Sequence, residues 1–528
     1  MARDRWRNLL VGILVALVAN ATSRPALAAE IETTESVPAT VPLPQEQSLQ
    51  PADPSQPTLD VLPISLPTSL QLAGVNPLDI GIANESLRVA YAQLEKASVL
   101  WLPNISVGME YFRHDGQIQD VGGRVFTTSR SSLLVGAGPN AVFAMADAIY
   151  SPLASRQIVR ARQANVQAAR NDSLYAVAEA YFNVQQARGQ VAGAAEVVRR
   201  AEDLVARVEK LTPGLAPRVE VNRARTELER RRQSVELAYE GWQVSSAELI
   251  RILRLDPKTV VEPVEPPHTR VSLIDLKQPV DLLIPVGLTN RPELASQQAL
   301  VQATLVRLRQ ERIRPLIPSI LLRGNATNPG GTLSSGYFGG GINDDMTNFG
   351  ARNSYDAQVI WELQNLGFGN RANVRERSAE NRRAMLELFR LQDRVAADVS
   401  QALAQAQRAT ARIREAESEL QNAVETADKN LEGMQQTKRA GELLVLVFRP
   451  QEVVAAIAAM AQAYNDFYSA IADANRAQFR LYWALGNPAQ ALTSEGATDG
   501  CLFITSPTDR AASARPAKID SSQSNVEN

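Results

Sequence analysis

The sequence predicts an α+β chain in which long antiparallel coiled-coil helices alternate with pairs of strands, the whole pattern occurring twice. Three observations predict it. Apolar and small residues recur at intervals of three and four over very long stretches. Short segments between those stretches alternate apolar with polar residues. Similar landmarks lie a constant distance apart, which indicates an internal duplication.

The first 28 residues have the order of a secretory signal peptide. Arg3, Arg5 and Arg7 precede an apolar run, and the segment ends in Ala26-Leu27-Ala28. That run is too short to span a bilayer as a helix. We therefore expect an exported chain that begins near Ala29.

Two segments outside the folded body have the composition of linkers. Residues 29–71 are rich in Pro, Thr, Ser and Gln, and are predicted to be a disordered linker. The tail, residues 492–528, is similar, although Cys501 to Ile504 has the composition of a short strand. The folded body is therefore expected between these segments.

The duplication follows from paired landmarks. Leu102-Pro103-Asn104-Ile105 and Ile317-Pro318-Ser319-Ile320 lie 215 residues apart, as do Pro77 and Pro292, and Arg156 and Arg371. They predict a first repeat over 72–257, an inter-repeat linker over 258–287 and a second repeat over 288–491. Each repeat is expected to contain helix, strand, glycine-rich loop, strand, long helix, turn and helix. The predicted helices are 77–99, 154–211, 217–254, 292–314, 370–438 and 449–486, and the predicted strands are 102–112, 140–151, 317–326 and 353–364.

The longest helices carry a coiled-coil seam. In the second repeat the seam includes Val395, Val399, Ala402 and Ala406, spaced by fours and threes. At about 1.5 Å per residue, helices of this length reach roughly 85 to 100 Å. The helical part is therefore predicted to be a rod.

The strand-like segments suit a membrane barrel. In the segment from Tyr355 to Gln364, apolar residues alternate with polar ones almost without interruption. This pattern predicts Tyr355, Val359 and Trp361 on a lipid face, and Gln358 and Glu362 on a lumen face. Soluble sheets contain similar segments, so the alternation alone leaves both interpretations open. The glycine-rich stretches 113–139 and 327–352 are expected to be long loops.

Four strands are too few to close a membrane barrel, which needs about eight. An open sheet edge is not stable in hydrocarbon. A chain that spans the membrane with these strands must therefore form an oligomer.

Composition excludes several classes of function. Lys and Arg total 55 and Asp and Glu total 57, so the basic excess of a nucleic-acid-binding protein is missing. One cysteine and two histidines rule out an intrachain disulfide and leave too few ligands for a zinc site. We find no P-loop and no nucleophile elbow, and expect neither enzymatic activity nor a cofactor.

Taken in order, these segments resemble the TolC-like outer-membrane efflux channel family. The resemblance rests on the helix starts Asn76-Pro77-Leu78 and Arg291-Pro292-Glu293-Leu294, the two strand starts above, the strand-to-helix junction from Trp361 to Asn370, and glycine turns at Gly214 and Gly441. It implies a homotrimer in the outer membrane. Three chains would form one 12-stranded β-barrel, continued by a periplasmic α-barrel.

The same resemblance implies an exit duct for efflux or secretion of small molecules or polypeptides. An inner-membrane transporter would drive export through a periplasmic adaptor protein, and outer-membrane lipid would surround the barrel. The helix turns, farthest from the strands, are the candidate adaptor contacts: Gly214, Leu215, Gly441, Leu444 and Leu446. The alternative is a periplasmic structural coiled-coil protein without a pore.

The expected entrance of the duct departs from the family pattern. The positions that are usually acidic in the family hold Val447 and Pro450 in this chain. Glu442 and Glu452 are the nearest carboxylates and become the candidate entrance charges.

Overall fold

The protein is described from a computed structural model. The structure describes residues 60–75, 77–102, 104–119, 122–211, 217–326, 334–339, 348–350, 353–434, 436–440, 443–446, 449–487 and 503–504. Among these residues, no helix combines the length and the apolar character needed to cross a membrane. The predicted signal peptide lies outside the described residues.

The described residues form eight helices and twelve strands. The helices are α1 (Leu66–Val75), α2 (Leu78–Ser98), α3 (Met145–Leu211), α4 (Arg218–Leu253), α5 (Val280–Asn290), α6 (Pro292–Ile313), α7 (Phe368–Gly433) and α8 (Pro450–Ala484). The strands are β1 (Asp60–Ile64), β2 (Asn104–Gln119), β3 (Val125–Ala144), β4 (Thr259–Pro263), β5 (Val271–Ser272), β6 (Ser319–Ala326), β7 (Ser334–Gly339), β8 (Asn348–Gly350), β9 (Asn353–Ile360), β10 (Thr437–Ala440), β11 (Leu443–Leu446) and β12 (Phe503–Ile504).

Two very long helices organise the molecule. Helix α3 has 67 residues and α7 has 66, so each extends about 100 Å. Near the sheet, packing runs in the order α2, α3, α6, α7; farther away it runs α4, α3, α8, α7. Each long helix thus has one short partner near the sheet and another beyond it, in both repeats.

Small residues allow the helices to approach closely. Alanines at 402, 406 and 409 are buried along α7, as the seam predicts. Where α3 meets α8, a Cβ added to Gly193 would lie 2.8 Å from the Cβ of Tyr464, and one added to Gly189 would lie 2.5 Å from Tyr468. No side chain fits at either glycine without moving a tyrosine.

The predicted strands join into one antiparallel sheet. Strand β3 pairs with β2 on one side and with β6 on the other, and β6 pairs with β9. The order β2-β3-β6-β9 therefore unites the strands of both repeats, with β2 and β9 as edges among these four. The short strands β7 and β8 extend from the far part of β3.

A third layer of elements surrounds the middle of the helices. Strand β1 pairs in parallel with β4, and α1 packs against α3. In the second repeat β5 pairs with β12, and α5 packs against α7. The inter-repeat linker and the tail thus both contribute strands, and the short strand expected at Cys501 to Ile504 is found at Phe503–Ile504. The duplication also includes α1 and α5.

The expected disordered linker over 29–71 is wrong from residue 60 onward. Proline marks this stretch as a linker by composition, yet Leu66 and Leu70 of α1 are buried in the core. The carboxylate of Glu265 accepts a hydrogen bond from the Leu66 backbone N–H at 2.9 Å and another from the Tyr181 hydroxyl. Partners about 100 to 200 residues away in sequence therefore order this segment.

Three further predictions need correction. The strand predicted over 140–151 ends at Ala144, and α3 begins at Met145; in the first turn of α3, Asp147 pairs with Arg314 of the segment after α6. The helix predicted over 370–438 ends at Gly433, and residues 437–440 form a strand. The stretches expected to be loops contain most of β3 and all of β7 and β8.

Candidate functional surfaces

The two faces of the sheet differ in composition. Strand alternation places Tyr355, Ala357 and Val359 at positions on one face of β9. Their register brings Ile320 opposite Val359, and Leu322 opposite Ala357, onto the same face. Val359 is 55 % exposed, so this apolar face is uncovered in the single chain.

The opposite face of β9 carries polar side chains and, at the end of the strand, Ile360. Asp356 and Gln358 lie on it, and the Gln358 side-chain amide donates a hydrogen bond to the Asp356 carboxylate at 2.9 Å. This contact between residues two apart requires both side chains on one side of the strand. The assignment of Val359 and Gln358 to opposite faces therefore agrees with the strand geometry.

Trp361 and Glu362 do not belong to the strand. Strand β9 ends at Ile360, and both residues lie in the link that leads to α7. Both are exposed. The prediction that they continue the strand alternation is wrong, because the backbone leaves the sheet before it reaches them.

The link from β9 to α7 contains a strained turn. Asn365 and Leu366 have φ of 51° and 58°, in the left-handed region that is unfavourable for residues other than glycine. Asn370, buried at the start of α7, fixes the turn by accepting a hydrogen bond from the Gln364 backbone N–H at 2.8 Å. The turn leaves Leu366 90 % exposed.

At the far end, most predicted contact residues fall outside the described part of the chain. Gly214, Leu215, Gly441 and Glu442 are among the residues that the structure does not describe. Leu444 and Leu446 lie in β11, which pairs with β10 in a short antiparallel hairpin. Glu452 is exposed in the first turn of α8.

Sequence reasoning missed a groove near this end. It has a volume of about 570 Å³ and lies between α7 and α8. Its lining has four charged residues, one neutral amide and three apolar or aromatic residues: Leu420, Gln421, Val424, Glu425, Asp428, Lys429, Glu432 and Tyr464. The helical period alone could have placed these α7 residues on one side of the helix, but their proximity to Tyr464 depends on the fold.

Polar contacts connect the two repeats near the groove. Arg200 of α3 lies 2.8 Å from the Asp428 carboxylate of α7. Arg207 donates a hydrogen bond to the Leu431 carbonyl oxygen at 3.0 Å. These contacts link the two helical hairpins directly.

A second set of contacts connects the repeats near α5. The Arg291 guanidinium lies 4.1 Å from the centre of the Trp483 ring and pairs with Glu293 and Asp398. The Trp483 indole N–H donates to Asp172 at 2.7 Å. Burial raises the pKa of the Asp172 carboxyl above its ordinary value, although this hydrogen bond opposes the shift.

The chain matches no family model and no curated protein. Solved structures do match. The CmeC outer membrane channel of Campylobacter jejuni aligns with a TM-score of 0.64 at 17 % identity, over 82 % of this chain and 88 % of that one. The outer membrane protein VceC of Vibrio cholerae aligns with 0.64 at 14 %, over 80 % and 96 %. The open MtrE outer membrane channel of Neisseria gonorrhoeae aligns with 0.61 at 16 %, over 80 % and 88 %.

These alignments cover nearly the whole length of the solved chains. The prediction of the fold class is confirmed: this chain has the fold of outer-membrane channels that resemble TolC. Identities of 14 % to 17 % show fold and leave function to be argued from the surfaces.

Proposed function

We propose that the protein is an outer-membrane export channel that acts as a homotrimer. Its sheet contributes four strands to a 12-stranded barrel, and its helices form a periplasmic duct. An inner-membrane transporter drives export through a periplasmic adaptor, and the cargo is small molecules or polypeptides. The channel itself needs no catalytic residue or cofactor, because the transporter supplies the energy.

One observation carries this proposal: a sheet with one apolar face and an opposite face that carries Asp356 and Gln358 continues directly into helices about 100 Å long. The apolar face, which includes Val359, suits lipid, and the polar face with Gln358 suits a water-filled lumen. A periplasmic coiled coil without a pore would leave this apolar sheet face exposed to water, which is unfavourable.

The packing order of the helices supports a closed ring of several chains. In the order α2, α3, α6, α7, a short helix alternates with a long one. Continuing that order beyond α7 requires α2 of a second chain. Leu386 and Phe389 of α7, and Ile82 and Val89 of α2, are 56 % to 65 % exposed and provide apolar surfaces for this contact.

The adaptor is proposed to bind at the tip, which is the end of the helices farthest from the sheet, where α3 is connected to α4 and α7 to α8. The groove that includes Val424 and Tyr464 offers an apolar floor with charged edges. The β10–β11 hairpin next to it carries the apolar run of Leu444 and Leu446. Together they extend the predicted tip contacts onto the flank of the helices.

The test combines location with conductance. The protein should fractionate with the outer membrane, and the purified protein should be a trimer that conducts ions in a planar bilayer. A monodisperse monomer without conductance would favour the structural coiled coil instead.

A further inference from the structure

Exposed apolar residues lie at the border between sheet and helices. These residues, here called the junction belt, lie in the links between α2 and β2, between α6 and β6, and between β9 and α7, or begin α7. They are 44 % to 90 % exposed: Trp101, Leu102, Leu316, Trp361, Leu366 and Phe368. Three separate links therefore present large apolar side chains at one level of the molecule.

One residue of the junction belt, Leu366, has a strained backbone conformation. Leu366 has a positive φ, which a glycine would adopt at lower cost. A strained backbone persists where the surrounding structure enforces it, and such sites are often functional. Here the result of the strain is an almost fully exposed leucine.

Directly beside the belt are five exposed arginines, here called the junction arginines: Arg307, Arg309, Arg312, Arg371 and Arg375. All lie within about 10 Å, along the helix axis, of the end of α6 or the start of α7. Within the described part of the chain, none of the five forms an ion pair. Arg314, by contrast, pairs with Asp147 and Glu311.

The charges of α7 oppose its helix dipole. Residues 368–394 contain seven arginines and four carboxylates, and residues 415–432 contain one lysine and six carboxylates. The first turn has no acidic residue and the last turn no basic one. Because the amino end of a helix carries partial positive charge, this arrangement disfavours the isolated helix. An external anion at the amino end would offset that cost.

We propose that this junction lies in the headgroup layer of the periplasmic leaflet, where the junction arginines bind the phosphates of anionic phospholipids. The proposal rests on the proposed outer-membrane location. The junction belt enters the boundary between headgroups and acyl chains, where tryptophan is favoured. Arginine forms paired hydrogen bonds with phosphate, and basic clusters beside a membrane bind anionic lipid.

The test compares two double variants of α7. Arg371→Gln with Arg375→Gln removes two junction arginines. Arg408→Gln with Arg414→Gln removes two exposed arginines farther along the same helix. The melting temperature of each full-length protein is measured in neutral detergent during titration with phosphatidylglycerol, phosphatidylcholine or inorganic phosphate.

Phosphatidylglycerol should raise the melting temperature of the unchanged protein and of the Arg408/Arg414 variant, because a ligand of the native state stabilises it. The Arg371/Arg375 variant should need about tenfold more of this lipid for the same shift. Added salt should weaken the effect by screening. An equal response of both variants would overturn the proposal, and so would an equal stabilisation by inorganic phosphate.

Conductance separates this inference from the proposed function. Each protein is also tested in a bilayer of phosphatidylcholine alone, in a gradient of potassium chloride. Absence of current from the unchanged protein counts against the channel itself. Normal current without preference for phosphatidylglycerol counts against the lipid site alone. A reversal potential altered only in the Arg371/Arg375 variant, with lipid binding unchanged, would place these arginines in the lumen and overturn the lipid site.

Discussion

The two repeats follow the same plan near the sheet and differ at the opposite end. In the first repeat, six residues, 212–217, connect α3 to α4. In the second, sixteen residues, 434–449, connect α7 to α8 and contain the β10–β11 hairpin. Both connections lie at the end of the helices that is farthest from the sheet, beyond the third layer formed by β1, β4, β5, β12, α1 and α5.

A second difference between the repeats occurs at the carboxyl ends of α4 and α8. After α4, Arg254 occupies the left-handed region with φ of 57°, and after α8, Gly486 does so with φ of 69°. Arg254 is exposed, whereas Gly486 is closely packed: a Cβ on Gly486 would lie 2.6 Å from the Arg291 backbone nitrogen. Close packing of the end of α8 against Asn290 and Arg291, within the second repeat, therefore leaves no room for a side chain at Gly486.

The largest expected effect is a loss of export when charges are introduced into the β10–β11 hairpin at the tip. Leu444→Glu with Leu446→Glu places two charges on one face of the hairpin, since the two positions are two apart on β11. We expect export, measured as accumulation of a fluorescent efflux dye in cells, to fall at least tenfold while outer-membrane trimers persist.

The matched variant in the first repeat is Leu215→Glu, for which we expect a smaller loss. Equal losses would show that the two tips serve one role despite their different lengths. Loss of the trimer in the Leu444/Leu446 variant would assign the hairpin to assembly instead.

Next in size is the comparison of helix ends. Gly486→Ala should lower the free energy of unfolding by about 3 kcal/mol, combining overpacking with a left-handed alanine. Arg254→Gly should change it by less than about 1 kcal/mol, because it relieves a similar strain without a clash. Thermal unfolding of the detergent-solubilised protein measures both, and similar losses would contradict the packing difference.

A smaller effect is expected where the repeats meet. Gly193→Ala places a methyl group against Tyr464 and should cost about 1 to 3 kcal/mol. Adding Tyr464→Ala removes the ring, so the double variant should lose less than the sum of the single variants. Strict additivity in denaturation measurements would mean that the two residues do not touch.

The smallest effect concerns Asp172. Burial raises its pKa in the folded protein, so its contribution to stability is present at low pH and is lost as pH rises through the folded pKa. Asp172→Asn should flatten the dependence of melting temperature on pH above about 4, the ordinary pKa of an aspartate carboxyl. It should not lower stability at neutral pH, since the amide oxygen still accepts the Trp483 hydrogen bond. An unchanged pH profile would refute the raised pKa.

Local patterns predicted the rod and the four-stranded sheet. The seam at Val395, Val399 and Ala402 follows from spacing alone, and all three residues are buried. The repeated strand starts located β2 and β6 because each pattern lies within a few residues of sequence. These features need no knowledge of distant partners.

Long-range contacts explain what sequence reasoning missed. Strand β1 pairs with residues about 200 positions later, and its prolines suggested a linker. The groove combines side chains of α7 with Tyr464 of α8, and no periodicity relates them. Residues 437–440, Thr-Lys-Arg-Ala, read as a continuing helix until pairing with β11 turns them into a strand.

The edges of the sheet have a consequence for biogenesis. Strands β2 and β3 are joined by a short link, whereas β3 meets β6 only after all of α3 and α4 has been made. Even then β2 and β9 each have only one neighbour within the sheet of β2, β3, β6 and β9, so each leaves one edge unpaired there. Backbone groups at such edges are too costly to place in hydrocarbon. Under the proposed function, insertion therefore waits for other copies, its rate rises steeply with protein concentration, and a solitary chain does not make the membrane leak.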